Sequence, residues 1–301
     1  MKPAADLASL PISGSSRPSV LSDYLALTKP RLNMLVVATS AAGYYLGIQG
    51  SPSVPELAIT IAGTALVAGG ASALNQVYER DTDALMRRTR HRPLPDGRMA
   101  TGDASLFGMA MAGAGLVLLG AAANVLSATL ALATLVTYLI VYTPMKQRSP
   151  AATLVGAVPG ALPPLIGWTA ATGELSTGGL VLFAIVFLWQ VPHFMAIAWL
   201  CRNDYARAGF PMLPVIDPSG RRAARQAAVY SLLLVLPALA PSFIGISGPA
   251  YLVVSSILGA ALIALAVGFA FRRNDRAARA LFVGSILYLP LILVALIADK
   301  L

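Results

Sequence analysis

The sequence predicts an all-α membrane protein with about nine transmembrane helices, and two observations support that prediction. Aliphatic, aromatic and sulfur-containing residues make up 57% of the 301 residues, whereas charged residues make up only 12%, about half the share found in soluble domains. Apolar stretches long enough to cross a bilayer also recur along the chain. The protein is therefore expected to be a polytopic bundle of helices.

The start of the chain differs from the rest. Residues 1–22 contain Pro, Ser and small residues without an apolar run, and they lack the pattern of a signal peptide. We interpret them as a mobile cytoplasmic tail and residues 23–301 as a single transmembrane domain. A lone cysteine, Cys201, excludes an intramolecular disulfide.

Nine apolar stretches of spanning length follow the tail, and each is predicted to form one transmembrane helix. They lie at about 30–49, 57–77, 104–122, 125–143, 152–171, 178–199, 227–244, 250–271 and 280–298. An odd number of spans places the two ends of the domain on opposite sides of the membrane.

The distribution of basic residues predicts the orientation. The tail and the connections after spans 2, 4, 6 and 8 hold nearly all of the lysines and arginines, whereas only Lys300 falls on the other side. By the positive-inside rule, the N-terminus and the basic loops are cytoplasmic and the C-terminus is outside. This placement also explains the net charge of +9 without a nucleic-acid partner.

The stretch after span 2 carries the most specific pattern. Asn75, Glu79 and Asp83 stand four residues apart, so on a helix they share one face, whereas Asp81 points elsewhere. An amide and two carboxylates are oxygen ligands of the kind that hold Mg²⁺ together with a substrate phosphate. The alternative is a solvated helix end with salt bridges to Arg87 and its neighbours.

A second acidic position, Asp204, follows span 6, four spans after the span that ends in the cluster of Glu79, Asp81 and Asp83. We interpret this as a weak internal repeat in which the two acidic helix ends face one another. The loop at 203–218 mixes charged and apolar residues, which is typical of a segment that lies at the membrane interface and closes over a site.

Several motifs in order resemble the protohaem IX farnesyltransferases (haem O synthases), a branch of the membrane prenyltransferase superfamily of the 4-hydroxybenzoate polyprenyltransferase type. The resemblance runs from about residue 23 to the last span. The motifs are LTKPR at 27–31, NxxxERxxDxxMxRTxxRPLP at 75–95, YTxxK at 142–146, GALPPLIGW at 160–168, WQVPHF at 189–194 and DYxxAGxPMLP at 204–214.

Two departures from the wider superfamily favour the haem branch. The first superfamily motif usually has aspartate where this chain has Glu79, and the second usually has two aspartates four residues apart, where this chain has Asp204 and Ala208. The haem branch resembles this chain at both places. A quinone-precursor prenyltransferase remains the alternative enzyme. A transporter is a distant alternative, because its acids are expected near mid-bilayer and not at helix ends.

The resemblance implies transfer of a farnesyl group from farnesyl diphosphate to the vinyl group of haem b, with addition of water and release of diphosphate. It implies Mg²⁺ as the cofactor and a central apolar chamber under cytoplasmic cap loops, which would hold the farnesyl chain and the porphyrin. The implied Mg²⁺ ligands and catalytic residues are Asn75, Glu79, Asp83 and Asp204. The implied diphosphate contacts are Lys29, Arg88, Arg92, Lys146 and Arg148.

His193 and Trp189 are the implied haem contacts. A histidine in an apolar span is costly and usually faces the interior of the bundle, so His193 is either a haem-iron ligand or a hydrogen-bonded packing residue. If span 6 is continuous, His193 and Asp204 lie on nearly the same helix face.

The resemblance further implies a bacterial inner-membrane protein that participates in haem A and haem O biosynthesis, with possible contact to haem A synthase or to terminal oxidase assembly.

Overall fold

The protein is a bundle of helices. The structure, a computed structural model, describes residues 19–301. Within that range all regular elements are helical, and β-structure is limited to one isolated bridge between Ser247 and Lys300. Residues 1–18 of the expected tail lie outside the described residues, and a short helix already begins at Val20.

The helices are, in chain order, α1 (Val20–Leu27), α2 (Pro30–Gly47), α3 (Val54–Tyr78), α4 (Arg80–Leu85), α5 (Thr101–Ala122), α6 (Val125–Val136), α7 (Thr143–Met145), α8 (Ala152–Thr172), α9 (Thr177–Leu200), α10 (Arg202–Arg207), α11 (Leu213–Ile216), α12 (Arg221–Leu233), α13 (Val235–Phe243), α14 (Pro249–Arg272) and α15 (Asp275–Ala298). A π-helical stretch, Thr137–Tyr142, joins α6 to α7.

All nine predicted spans form helices in the described part of the chain, and eight of them are long and apolar enough to cross a membrane. Two of those eight are compound helices, Val125–Met145 and Arg221–Phe243. The ninth predicted span is α2, whose 18 residues would measure about 27 Å at about 1.5 Å per residue. Arg31 and Asn33 lower the hydropathy of α2 below that of the other eight.

Close contact between α2 and α8 depends on glycine. A Cβ atom on Gly167 would lie 1.8 Å from the carbonyl oxygen of Ser40, and one on Gly43 would lie 2.0 Å from that of Pro164. Neither position has room for a side chain, so the two backbones meet directly, as small residues permit in membrane bundles. Helix α8 is continuous through Pro163 and Pro164.

The long loops that follow α3 and α9 contact each other. Met86, from the first loop, is 1% exposed and packs in one apolar cluster with Ala198, Tyr205, Phe210 and Met212, which belong to α9 and the second loop. This cluster brings the two loops into contact at one end of the bundle.

Candidate active site

The predicted stripe of oxygen ligands forms at the end of α3. Helix α3 ends at Tyr78 and α4 follows after Glu79, but the backbone bonds from Glu79 N to Asn75 O (2.9 Å) and from Asp83 N to Glu79 O (2.7 Å) preserve the four-residue spacing. Asn75, Glu79 and Asp83 are 1–2% exposed, whereas the Asp81 side chain is 85% exposed. The expected separation of Asp81 from the other three is therefore confirmed.

Each of the three side chains on the stripe is contacted by a different cation. The pairs are Lys29 Nζ with Asn75 Oδ1 at 3.1 Å, Lys146 Nζ with Glu79 Oε1 at 2.9 Å, and Arg92 Nη1 with Asp83 Oδ2 at 2.7 Å. The cations come from three separate parts of the chain. The predicted alternative, a solvated helix end paired with Arg87, is wrong, because the acids are buried and Asp83 pairs with Arg92.

One carboxylate oxygen on this stripe is buried without a hydrogen bond from any described residue. It is Asp83 Oδ1, and such orphaned buried atoms are uncommon in proteins. Thr143 orients the neighbouring amide by accepting from Asn75 Nδ2 at 3.2 Å. An orphaned carboxylate oxygen beside a second carboxylate and an amide oxygen fits a hard divalent cation such as Mg²⁺.

The stripe forms part of the wall of a cavity of about 610 Å³, a volume typical of small-molecule sites. Its polar wall contains Lys29, Arg31, Asn75, Glu79, Asp83, Arg88, Arg92 and Lys146. Its apolar and aromatic wall includes Met86, Tyr138, Tyr142, Phe194, Ile197, Ala198, Tyr205 and Met212. One chamber therefore presents charged groups and aromatic surface together.

The lysines at this cavity experience opposite electrostatic effects. Burial, together with the neighbouring Arg92, lowers the pKa of Lys29 to about 7. Burial alone would also lower the pKa of Lys146, but the neighbouring Tyr142 and the Glu79 carboxylate raise it above its ordinary value. Tyr142 and Glu79 therefore favour the charged form of Lys146, whereas burial disfavours the charged form of Lys29.

Asp204 does not line the cavity. Its carboxylate pairs with Arg207 in the same short helix, and the adjacent Tyr205 lines the cavity instead. Arg88 lies over the Tyr205 ring, 5.0 Å from its centroid. Arg148 is exposed and is not part of the cavity lining.

His193 and Trp189 belong to α9 and contact Ser285 of α15, and neither lines the cavity. The His193 ring stacks against Trp189 and Phe282 at 5.2 and 5.1 Å. Its Nδ1 lies 2.8 Å from Ser285 Oγ, and Trp189 Nε1 donates to the Ser285 carbonyl at 2.7 Å. These contacts satisfy the packing interpretation and leave Nε2 as the nitrogen that could meet an iron.

Two tyrosines in the wall were not among the predicted site residues. Tyr138 and Tyr142 stack with ring centroids 5.5 Å apart, and both belong to the π-helical stretch. π-Helical turns often occur at functional sites. The YTxxK motif at 142–146 was a sequence signal for Tyr142 but not for Tyr138, because hydrophobic periodicity does not reveal a π-helix.

Comparisons with known proteins agree with this geometry. The model of the UbiA prenyltransferase family matches residues 36–291. A relative from Solibacter usitatus, named protoheme IX farnesyltransferase, is 45% identical over 287 residues, which cover 92% of this chain and 98% of the relative.

Two solved structures share the fold at low sequence identity. The first, described in a study of digeranylgeranylglyceryl phosphate synthase, matches with a TM-score of 0.79 and 18% identity, covering 93% of this chain and 98% of the other. The second is a UbiA homolog from Archaeoglobus fulgidus bound to GPP and Mg²⁺, with a TM-score of 0.65 and 19% identity, covering 92% of this chain and 100% of the homolog.

Proposed function

Because the chain belongs to the UbiA prenyltransferase family, and within it to the protohaem IX farnesyltransferases, we propose that it makes haem O from haem b. The reaction transfers the farnesyl group of farnesyl diphosphate to a vinyl group of haem b, adds water and releases diphosphate. The observation that best supports this function is the chamber where a buried oxygen-ligand stripe, its matched cations and an aromatic wall meet.

Asn75, Glu79 and Asp83 are the residues that would hold Mg²⁺. Their donor set and the orphaned Asp83 Oδ1 support this assignment, as does the homolog solved with GPP and Mg²⁺. When bound, the ion supplies charge compensation for the leaving diphosphate. Asp204 faces Arg207 instead of the cavity, and we leave it out of the ligand set.

Lys29, Arg88, Arg92 and Lys146 are the residues that would hold the diphosphate oxygens, because all four line the cavity. Arginine is suited to bidentate contacts with phosphate oxygens, and lysine acts there as a point charge. Arg148, the fifth expected contact, points to the surface and is omitted.

The reacting bonds are expected to break and form beside the aromatic wall of the cavity. The bond between farnesyl C1 and the diphosphate oxygen breaks, and its electron pair leaves with the diphosphate. The vinyl carbon of haem b forms the new bond to C1, and water then adds to the electron-deficient porphyrin side chain and loses a proton. Tyr138, Tyr142 and Phe194 exclude solvent while the allylic cation exists.

His193 and Trp189 are proposed as the haem-side contacts. The Ser285 hydroxyl forms a hydrogen bond with His193 Nδ1. In metal-binding histidines, a hydrogen bond at the nitrogen that does not bind the metal fixes the orientation of the ring. Nε2 is then the nitrogen available to the haem iron. Stacking on Trp189 keeps the ring plane fixed.

A chelator experiment tests the proposed function. The purified full chain, supplied with haem b and farnesyl diphosphate, is expected to form haem O with Mg²⁺ and to stop when EDTA is added. Extracted pigments are separated by chromatography and identified by mass. Turnover of 4-hydroxybenzoate in place of haem b would assign the chain to the quinone-precursor enzymes instead.

The enzyme is expected to act in a bacterial inner membrane, whose apolar interior suits the farnesyl chain and the porphyrin of its two substrates. The basic loops then face the cytoplasm, where farnesyl diphosphate is soluble, and Lys300 lies outside. Haem A synthase or a terminal oxidase assembly complex is the class of protein that would receive the product.

A further inference from the structure

Each of the three side chains on the oxygen-ligand stripe, Asn75, Glu79 and Asp83, accepts a hydrogen bond from a different cationic side chain. Lys29, which precedes α2, donates to Asn75; Lys146, which follows α7, donates to both oxygens of Glu79 at 2.9 and 3.2 Å. The third pair joins Arg92 to Asp83. Each cation therefore contacts an oxygen that a metal ion would also contact.

The charge of the cavity wall opposes a metal ion on its own. The cavity is lined by five basic side chains and two carboxylates, which gives a surplus of three positive charges when all are ionised. A divalent cation would increase that surplus in a partly buried space, where charge repulsion is poorly screened. A prenyl diphosphate carries up to about three negative charges and neutralises this surplus.

We propose that Lys29, Lys146 and Arg92 form a counter-ion latch. The latch holds the oxygens of Asn75, Glu79 and Asp83 until a diphosphate enters the cavity. The three cations then move to the diphosphate oxygens and release the stripe to the metal ion. Metal binding therefore depends on diphosphate binding, and the metal ion alone has low affinity. This inference rests on the proposed function only in taking a prenyl diphosphate as the ligand.

The latch makes a prediction that a simple shared site does not. If the cations serve only the diphosphate, removal of one of them strengthens the binding of a metal ion alone no more than removal of another cavity cation, because only repulsion is relieved. If they also compete for the stripe, their removal frees a carboxylate and strengthens metal binding further. The size of the gain, relative to that of a cavity cation outside the latch, separates the two arrangements.

The test is a titration of the full chain in detergent with Mn²⁺ alone, followed through the electron paramagnetic resonance signal of free Mn²⁺. We compare the parent with Lys146→Gln, which frees Glu79, and with Arg92→Gln, which frees Asp83. Arg31→Gln is the control, because Arg31 lines the cavity and adds to its positive charge, whereas the described pairs of Asn75, Glu79 and Asp83 are with other cations. The double variant Glu79→Gln with Lys146→Gln removes both the latch and its carboxylate.

The latch predicts that Lys146→Gln and Arg92→Gln each bind Mn²⁺ at least tenfold more tightly than Arg31→Gln, whose gain over the parent reflects only the loss of one cavity charge, and that the double variant loses the gain. Two variants ensure that one folding failure does not prevent the test. A gain no larger than that of Arg31→Gln in the variants that fold would overturn the latch. Neither haem nor farnesyl diphosphate is present in this assay, so failure of the haem activity and failure of the latch are separate results.

Discussion

Asp81 and Asp83 are only two residues apart, yet one side chain is 85% exposed and the other is 1% exposed. Helical rotation explains the difference, because residues spaced by four share a face and the residue between them does not. This part of the site was predictable from the sequence alone. The cations that contact the stripe were less predictable, since Lys29 is 46 residues from Asn75 and Lys146 is 67 residues from Glu79.

Removal of any one ligand from the stripe should abolish turnover. We expect Asn75→Ala, Glu79→Ala and Asp83→Ala each to lower kcat/KM for farnesyl diphosphate by roughly 100-fold or more, because metal charge compensation contributes several kcal/mol and each 1.4 kcal/mol is a factor of ten. Asp81→Ala is the matched control and should retain activity. Equal losses at Asp81 and Asp83, in folded protein, would contradict the one-face arrangement.

His193 provides the second test at this scale. If Nε2 binds the haem iron, His193→Ala should change the haem absorbance spectrum and weaken haem binding, while binding of labelled farnesyl diphosphate is retained. Asp83→Ala should show the reverse pattern. Parent-like haem binding and rate in His193→Ala would mean that the histidine only packs against Trp189 and Phe282.

The direction of the Asp204 side chain could not be predicted, because the sequence does not reveal the backbone angles of the residue that separates α9 from α10. The backbone of Cys201, with φ −101° and ψ 12°, ends α9 and begins α10. The helical phase that was expected to carry from His193 to Asp204 is therefore interrupted, and Tyr205 reaches the cavity wall in place of its neighbour.

At the scale of elements, the nine predicted spans coincide with helices to within a few residues at most ends, because apolar runs and the turns between them are strong signals. The tertiary contacts needed the structure. The direct meeting of α2 and α8 at Gly43 and Gly167 is one example. The π-helical stretch in the cavity wall is another, since it has the same composition as an ordinary apolar helix.

An ion pair joins the first helix to the loop that carries the diphosphate contacts. Asp23 in α1 is 6% exposed, and Arg98 donates to both of its oxygens, from Nε at 3.2 and 3.1 Å and from Nη2 at 3.0 Å. Arg98 follows Arg92 by six residues, so this pair anchors the end of the loop. Arg98 also pairs with the more exposed Asp96.

We expect Asp23→Asn to raise KM for farnesyl diphosphate about tenfold with a smaller change in kcat, because a charge-assisted hydrogen bond contributes about 1.5 kcal/mol and its loss lets the loop move. Asp96→Asn is the control and should have little effect, since exposed pairs contribute little. Steady-state kinetics in detergent separates KM from kcat. An unchanged KM in Asp23→Asn would show that α1 does not position the loop.

At the scale of the whole molecule, the arrangement of charge predicts orientation. The oxygen-ligand stripe, Lys29, Lys146 and the α10 segment all lie at helix ends that the positive-inside rule assigns to the cytoplasm. Lys300 lies at the other end, where its Nζ donates to the carbonyl oxygens of Tyr45 and Ile48 at 2.6 and 2.5 Å.

Fusions of a cytoplasm-active reporter and a periplasm-active reporter to each end of the chain should report a cytoplasmic N-terminus and an external C-terminus. This outcome requires α2 to cross the membrane together with the eight more apolar helices. Two ends on the same side would mean that α2 does not span, which would also remove the common cytoplasmic location of the stripe and its cations.

Conversion of haem b to haem O is proposed to take place at the stripe of Asn75, Glu79 and Asp83. The most direct measurement is pigment analysis of membranes from a bacterial host that lacks its own haem O synthase. Expression of the parent chain should produce haem O, recognised by the mass of its hydroxyethylfarnesyl side chain, and Asp81→Ala should do the same. Asp83→Ala, inserted at a similar level, should leave only haem b. Haem O from Asp83→Ala membranes, or only haem b from the inserted parent chain, would contradict the account.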